Sequence, residues 1–252
     1  MENPADRWSK TIVDLPLAAS RALREMSLAR DNVGGHDIAL SEQQFKLRLA
    51  NSEGRRESAG LLIKKMYAWR GYDTLGLIDD NPNLITLMAD MDGQPIGTLT
   101  IGLDSPSGLL ADQLYRDEID RLRAAQAKVC EFTKFAVDQS MQSKRLLAAL
   151  FQLAYIYSHR IHECTDVVIE VNPRHVVFYK RLLGFTQRGE ERMCPRVHAP
   201  AVLLHLPIAY ATEQILRYSG SFADIPGVRS VYPYFLSIKD QDGITNRLLR
   251  GD

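Results

Sequence analysis

The 252-residue chain contains little cysteine and no long apolar run. Its three cysteines, Cys130, Cys164 and Cys194, are scattered and form no Cys-x-x-Cys pair, which excludes a disulfide scaffold and disfavours a zinc site. The longest apolar stretch, residues 199–210, is interrupted by prolines and a histidine and is much shorter than the roughly 20 residues of a membrane-spanning helix. The sequence therefore predicts a cytoplasmic protein with no metal site and no integral membrane association.

The chain also lacks an excess of charge of either sign. Lys and Arg number 31, as do Asp and Glu, so the formal net charge is +0. A balanced chain has no global electrostatic reason to bind nucleic acid. Residues 1–7 lack the basic and apolar segments of a secretory signal. With 45% hydrophobic and 25% charged residues, the composition is that of a globular protein that builds its core without disulfides.

The hydrophobic pattern predicts alternating strands and helices. Asp92-Gly93 between two β-rich runs indicates a hairpin. Strict alternation over 129–137 predicts that Glu131 and Phe135 share one face of a strand. The whole order predicts an α/β (α+β) fold with a mixed central sheet and helices on both faces. Strands are predicted near 45–49, 84–89, 95–103, 129–137, 166–171, 185–194 and 201–206, and helices near 58–70, 109–128, 142–162, 173–183 and 211–218.

Residues 172–185 look like the late strand–helix motif of the GNAT acyltransferase fold. The features that match are the Asn172 cap, the Phe178-Tyr179 pair and the Gly184-Phe185 stop. Residues 131–135, Glu-Phe-Thr-Lys-Phe, resemble the Glu-x-Ser-Arg-Phe signature of acyl-homoserine-lactone synthases, which share that fold.

The resemblance is closer to N-acyl amino acid synthases of the FeeM-like type. Residues 66–72, 97–100 and 131–138 carry it, and it spans roughly residues 43–206. It implies a GNAT-like acyltransferase domain over 42–207, between an N-terminal arm (1–41) and a C-terminal extension (208–252).

This resemblance implies an N-acyltransferase that moves an acyl group from a thioester donor to the amine of an amino acid or similar small amine. Glu131 would act as the general base, and Tyr179 would protonate the departing thiolate. The strand backbone at Phe135 and Val137 would hold the thioester, and Asn172 would bind the pantetheine arm. The residues that we predict to bind substrate are Tyr67, Trp69, Leu110, Leu114 and Thr133, with the two leucines walling an acyl channel.

The segment 138–145 contains no glycine. Ordinary GNAT enzymes cradle the pyrophosphate of coenzyme A with a glycine-containing loop there, and glycine is what lets the backbone open into such a nest. A helix N-terminus with Lys144 and Arg145 can still hold one phosphate. Phosphopantetheine on a carrier protein presents one phosphodiester. The sequence therefore predicts an acyl carrier protein as partner and donor, acyl-CoA being the alternative co-substrate, and no tightly bound cofactor.

Each predicted role has a structural alternative. Glu131 also suits a structural ion pair, Tyr179 an aromatic core anchor, and Asn172 a helix cap alone. Lys144 and Arg145 also suit solvated surface cations, and Leu110 and Leu114 also suit residues that dock a helix on the sheet. Two alternative functions stay open, namely a coenzyme-A-dependent N-acetyltransferase and a non-catalytic module that binds acyl carriers. A filled, closed cleft between strands 129–137 and 166–171 would favour the module.

Overall fold

The computed structural model describes residues 11–17, 43–50, 53–68, 81–141 and 143–250. The predicted arm lies outside these residues apart from 11–17, and Trp69 lies outside them as well. Within the described ranges the strands are β1 (Val13–Leu17), β2 (Gln43–Leu49), β3 (Leu84–Met91), β4 (Gln94–Leu103), β5 (Val129–Val137), β6 (Asp166–Val171), β7 (Thr186–Gln187), β8 (Arg192–Cys194) and β9 (Ala199–Pro207). The α-helices are α1 (Glu53–Ala68), α2 (Asp112–Ala124), α3 (Lys144–Tyr155), α4 (Val176–Leu183), α5 (Ile208–Tyr218) and α6 (Ile238–Arg250).

The sheet is mixed, as predicted, with the strand order β1-β2-β3-β4-β5-β6-β9-β7 and β8 pairing with β9. The β3–β4 hairpin turns at Asp92 and Gly93, whose φ angles of 52° and 79° suit a two-residue turn with the twist of the strands. Strand β5 runs parallel to β6 and antiparallel to β4. The exchange from antiparallel to parallel pairing therefore falls at β5, in the middle of the sheet.

The two faces of the sheet are covered by different helices. On one face, α3 buries its apolar side, including Leu146 and Leu150, against the main core. On the other face, α1 packs Leu62, Ile63 and Met66 against the sheet. The same face carries a second core, in which Tyr115, Ile119 and Leu122 of α2 pack against residues of β5, β6 and β9. We call these the α3 face and the α2 face.

The C-terminal segment after β9 packs into the main core rather than standing apart. Its buried residues include Ile208 and Ile215 of α5, Tyr232 and Phe235 of the following turn, and Ile244 of α6. The Gln152 side chain of α3 donates to Leu236 O (3.1 Å) and accepts from Leu236 N (2.7 Å). The division of the chain at residues 41 and 207 stays a prediction.

Four elements differ from the sequence prediction. The strand predicted over 185–194 is divided into β7 and β8, which pair separately with β9. Strand β1 extends the sheet from residues assigned to the arm, by antiparallel pairing with β2. The helix predicted over 142–162 is α3 followed by a π-helical turn, Ile156–Ile161. Helix α6 was not predicted, because the apolar residues of its sequence are few and widely spaced. Of the helices in the described ranges, none is both long and apolar enough to cross a membrane.

Candidate active site

A β-bulge in β5 reverses the alternation of its side chains. Thr98 of β4 pairs with Ala136, but Thr100 pairs with Thr133, so β5 has one extra residue in this interval. Lys134 absorbs it with a φ of 49°, in the left-handed region. The prediction that Glu131 and Phe135 share a face is therefore wrong, because strict alternation does not continue through a bulge.

The bulge divides the predicted site between the two faces of the sheet. Glu131 lies opposite Gly102 on the α2 face, where a Cβ on that glycine would approach Glu131 Cγ to 2.8 Å. Phe135 instead packs on α3, with its ring centroid 5.0 Å from that of Phe151. Val137 lies opposite Gly97, whose Cβ position faces Leu150 of α3. Strand β5 thus presents an acid on the α2 face and apolar side chains on the α3 face.

Strands β5 and β6 diverge just beyond Glu131. Their parallel pairing runs from Val129 with Asp166 to Glu131 with Val168 and stops there. Beyond that point β6 continues to pair with β9 as far as Val171. Over 132–137 and 169–171 the two strands form no ladder with each other. A gap of this kind in a sheet is where an extended ligand can pair with backbone groups.

Glu131 is a buried carboxylate, with only 3% of its surface exposed. Its two oxygens accept hydrogen bonds from Leu110 N (2.8 Å) and Ala111 N (2.9 Å), in the loop that leads into α2. Burial raises the pKa of Glu131 to about 7, although the two backbone N–H groups favour the charged form. The direct partners of this carboxylate are therefore backbone N–H groups, and not the cation of the ion-pair alternative. A pKa of about 7 suits a group that gains and loses a proton near neutral pH.

This raised pKa predicts a stability that depends on pH. The folded protein keeps a proton on Glu131 up to about pH 7, whereas the unfolded chain releases it near pH 4.3. The free energy of unfolding should therefore fall as the pH rises across that interval, by up to about 4 kcal/mol from this residue. Urea denaturation at pH 5 and pH 8 measures the fall. Glu131→Gln should show a smaller difference, and an equal difference in both proteins would contradict the assignment.

A second carboxylate, Glu170, lies near Glu131 on the α2 face and contributes to its raised pKa. Arg196 donates from Nη2 to Glu170 Oε1 (2.6 Å) and from Nη1 to Gln113 Oε1 (2.9 Å). The other oxygen, Oε2, is buried and makes no hydrogen bond of standard geometry within the described residues. Burial and this carboxylate raise the pKa of the neighbouring Cys194 thiol. Sequence reasoning missed both Glu170 and Arg196, since no local motif marks them.

Tyr179 lies at the mouth of the divergence, on the α3 side. Its ring centroid is 6.5 Å from that of Phe135 and 6.1 Å from that of Phe185, both in edge-to-face geometry. Asn172 caps the turn before α4, as predicted, by accepting from Arg174 N (3.2 Å), and it also donates to Pro200 O (3.2 Å). The structure thus brings together Phe135 and Tyr179 from distant parts of the chain. Glu131 belongs to the same strand as Phe135, but its side chain lies on the opposite face of the sheet.

The basic pair at the start of α3 is covered by the C-terminal segment. Lys144 is buried and forms an ion pair with Asp224, and its ammonium lies 5.4 Å from the ring centroid of Tyr234. Arg145 lies 6.0 Å from the ring centroid of Phe222. The bond from Lys144 holds the pKa of Asp224 below its usual value. The solvated-cation alternative therefore fails for Lys144.

The predicted substrate-binding residues fall in several places. Leu114 packs against the second core, the arrangement expected of a docking residue, and Leu110 is half-buried in the loop that Glu131 holds. Thr133 lies opposite Thr100 on the α2 face, and Tyr67 packs against the cluster of α1 and Ala136. Their roles in binding stay predictions.

A parallel pair that diverges inside a mixed sheet, with a bulge on its first strand, is the arrangement of GNAT-fold acyltransferases, and solved structures of that class match this chain. The structure of FeeM, an N-acyl amino acid synthase from uncultured soil microbes, is 28% identical, with a TM-score of 0.59, over 66% of this chain and 92% of FeeM. An acyl-CoA N-acyltransferase from Pseudomonas aeruginosa is 16% identical (TM-score 0.44; 64% and 97% covered). The acyl-homoserine-lactone synthase LasI is 14% identical (TM-score 0.44; 65% and 90% covered).

The family model of the N-acyl amino acid synthase FeeM matches residues 58–207, more than half of the chain. The chain therefore belongs to the FeeM family of N-acyl amino acid synthases. No curated protein sequence matches it. The predicted fold and N-acyltransferase activity are confirmed by these comparisons.

Proposed function

We propose that this protein acts in the cytoplasm and transfers an acyl group from an acyl carrier protein thioester to the amine of an amino acid. The observation that carries the proposal is the divergence of β5 from β6 beyond Glu131, with Tyr179 and Phe135 at its mouth. A thioester with its extended pantetheine arm fits between the two open strand edges. Backbone N–H groups of β5 would then hold the carbonyl oxygen as negative charge develops on it.

The chemistry needs one base and one acid. The amine nitrogen attacks the thioester carbonyl, the C–N bond forms, and the C–S bond breaks as the tetrahedral intermediate collapses. Glu131, with a pKa of about 7, accepts the proton that the attacking nitrogen loses. Tyr179 supplies a proton to the departing thiolate. The placement of these groups on opposite faces matches an amine and a thioester that approach the strand from opposite sides.

The acceptor site that we propose lies on the α2 face, around Glu131, Glu170 and Arg196. The Glu170 carboxylate interacts with the thiol of Cys194, which is a weak donor. Its buried oxygen Oε2 has no hydrogen bond of standard geometry within the described chain, so a stronger donor would stabilise it. An amine N–H would satisfy it. Arg196 already pairs with Glu170 Oε1 (2.6 Å), and its planar guanidinium would take the carboxylate of an amino acid as a further partner.

The donor is tested by comparing carrier-protein and coenzyme A thioesters that carry the same dodecanoyl chain, each with a mixture of amino acids. We expect N-dodecanoyl amino acids, identified by mass spectrometry, and a kcat/KM at least about tenfold higher with the carrier-protein donor. The glycine-free segment 138–145 supports this preference. Equal or better use of the coenzyme A donor would favour the coenzyme-A-dependent alternative, and no product with either donor would contradict the proposed function.

Asp224 competes with the donor phosphate for Lys144 in this proposal. Asp224→Asn leaves the buried ammonium without its anion in the free enzyme, so a phosphate that binds there regains a full ion pair. We expect the KM for the carrier-protein donor to fall about two- to fivefold, the range of a partly exposed ion pair, with little change in kcat. Asp242→Asn, which removes an ion pair with Arg160, is the matched control. A higher KM in Asp224→Asn would show that the ion pair supports donor binding.

A further inference from the structure

A small apolar cavity lies on the α3 face, next to the point where β5 and β6 part. Phe132 of β5 and Phe151 of α3 form one side of it. Its volume of about 20 Å³ has room for about one water molecule or methyl group. Such a small apolar space at the inner end of a cleft is suited to the tip of a hydrocarbon chain.

Aromatic rings connect this cavity to the proposed thioester position. The Phe151 ring that lines the cavity lies 5.0 Å from Phe135, and Phe135 lies 6.5 Å from Tyr179 at the mouth of the divergence. Phe132 contacts the same Phe151 ring, with centroids 6.5 Å apart. A chain attached to a thioester beside Tyr179 therefore meets apolar surface from the mouth to the cavity.

The polar side chains in the cavity wall have their hydroxyl groups engaged elsewhere. Tyr155 shares a hydrogen bond with Thr212 (2.9 Å), Ser158 donates to Ala154 O (2.7 Å), and Tyr232 donates to Leu183 O (2.8 Å). The surface that these residues offer the cavity is thus carbon. A hydrocarbon gains from burial here without leaving a polar group unpaired.

The far side of the cavity comes from residues beyond the family match, which ends at 207. Ala211 and Ile215 of α5 and Tyr232 and Phe235 of the following turn line it, and all four are buried. Val231 N donates to Leu182 O (3.1 Å), which fixes this turn to the end of α4. The extension therefore forms the end wall of the space rather than a separate layer.

We propose that the C-terminal extension closes the acyl channel and sets the length of the acyl chain, through Ala211, Ile215 and Tyr232. The substrate class is a saturated, unbranched acyl chain, since the path runs between closely spaced rings. This inference rests on the proposed function, because the path begins at the proposed thioester position. It assigns the choice of chain length to a segment that the family model does not include.

Two variants move the end wall in opposite directions. Ile215→Ala removes three carbons from the wall, so the preferred donor should lengthen by about two or three carbons. Ala211→Leu adds three carbons and should shorten the preferred donor by about as many. The measurements are product profiles from carrier-protein donors of 8 to 16 carbons and calorimetric binding of free saturated fatty acids of the same lengths. Ile244→Ala removes the same atoms from α6 outside the cavity lining and should leave both profiles unchanged.

The measurement of fatty-acid binding tests the acyl channel independently of the proposed transfer reaction. A shift of binding in Ile215→Ala and Ala211→Leu, with no N-acyl product from any protein, would support the channel and contradict the transferase reaction. Product formation with identical length profiles in the wild type and both variants would overturn the channel and leave the reaction intact. If Ile215→Ala does not fold, Ala211→Leu alone decides the matter, because unaltered binding and product lengths in that variant would also overturn it.

Discussion

Glu131→Gln is expected to lower kcat by about 10²- to 10⁴-fold, the usual effect of losing a general base. The amide is nearly the same size but cannot accept the proton of the attacking amine. In the wild type, kcat/KM should rise with pH up to a plateau above about pH 7, because the base must be ionised and its pKa is about 7. That rise should be absent from the variant. Initial rates over a range of amino acid concentrations with saturating dodecanoyl carrier protein, from pH 5.5 to 9, give kcat and kcat/KM and so test both points.

The substitution also affects the loop at Leu110 and Ala111, since an amide offers only one oxygen to the two N–H groups that the carboxylate satisfies. Asp112→Asn is the matched control. Asp112 accepts from Leu109 N (2.7 Å) in the same loop and pairs with Arg123 (2.6 Å), but it plays no part in the proposed chemistry. We expect Asp112→Asn to lower stability and to keep kcat within about threefold of the wild type. Equal losses of kcat in the two variants would make Glu131 a structural residue.

Tyr179→Phe is expected to lower kcat by about 10²-fold, because the departing thiolate loses its proton donor. The variant keeps the aromatic ring and its contacts with Phe135 and Phe185, so the KM for the donor should change little. Tyr218→Phe removes a hydroxyl from the end of α5 and serves as the control. Rates with the carrier-protein donor give the size of the effect.

A donor with a better leaving group distinguishes the two roles of Tyr179, general acid and aromatic core anchor. A thiophenol thioester of the same acyl chain releases a thiolate that is stable without protonation. If Tyr179 is the acid, the loss in Tyr179→Phe should shrink to a few-fold with this donor. An equal loss with both donors would assign Tyr179 to positioning, and undiminished rates with both would make it a core anchor.

The parts of the fold that follow from local patterns were predicted well. The β-branched run in 166–171 and the apolar run in 129–137 correspond to β6 and β5 without any shift of their ends. The hairpin turn predicted at Asp92-Gly93 and the helix end predicted at Gly184 are both present, and Gly184 has a φ of 88° in the left-handed region. These signals are local, so one sequence is enough to read them.

The features that the sequence did not reveal depend on distant partners. The bulge at Lys134 comes from the register with β4, and no glycine marks it. The backbone N–H groups at 110–111 donate to Glu131, and Lys144 donates to Asp224, so these bonds join residues 20 to 80 positions apart. A carboxylate in a strand is visible in the sequence, but the groups that satisfy it are known only once the chain has folded.

The bulge has a kinetic consequence. One extra residue changes which side chains of β5 face each side of the sheet, and the proposed donor and acceptor sites therefore lie on opposite faces of one strand. Neither substrate needs to leave before its counterpart arrives. Initial-rate plots at several fixed concentrations of the second substrate should therefore intersect, as for a ternary complex, whereas parallel lines would indicate an enzyme that holds the acyl group covalently between two separate encounters.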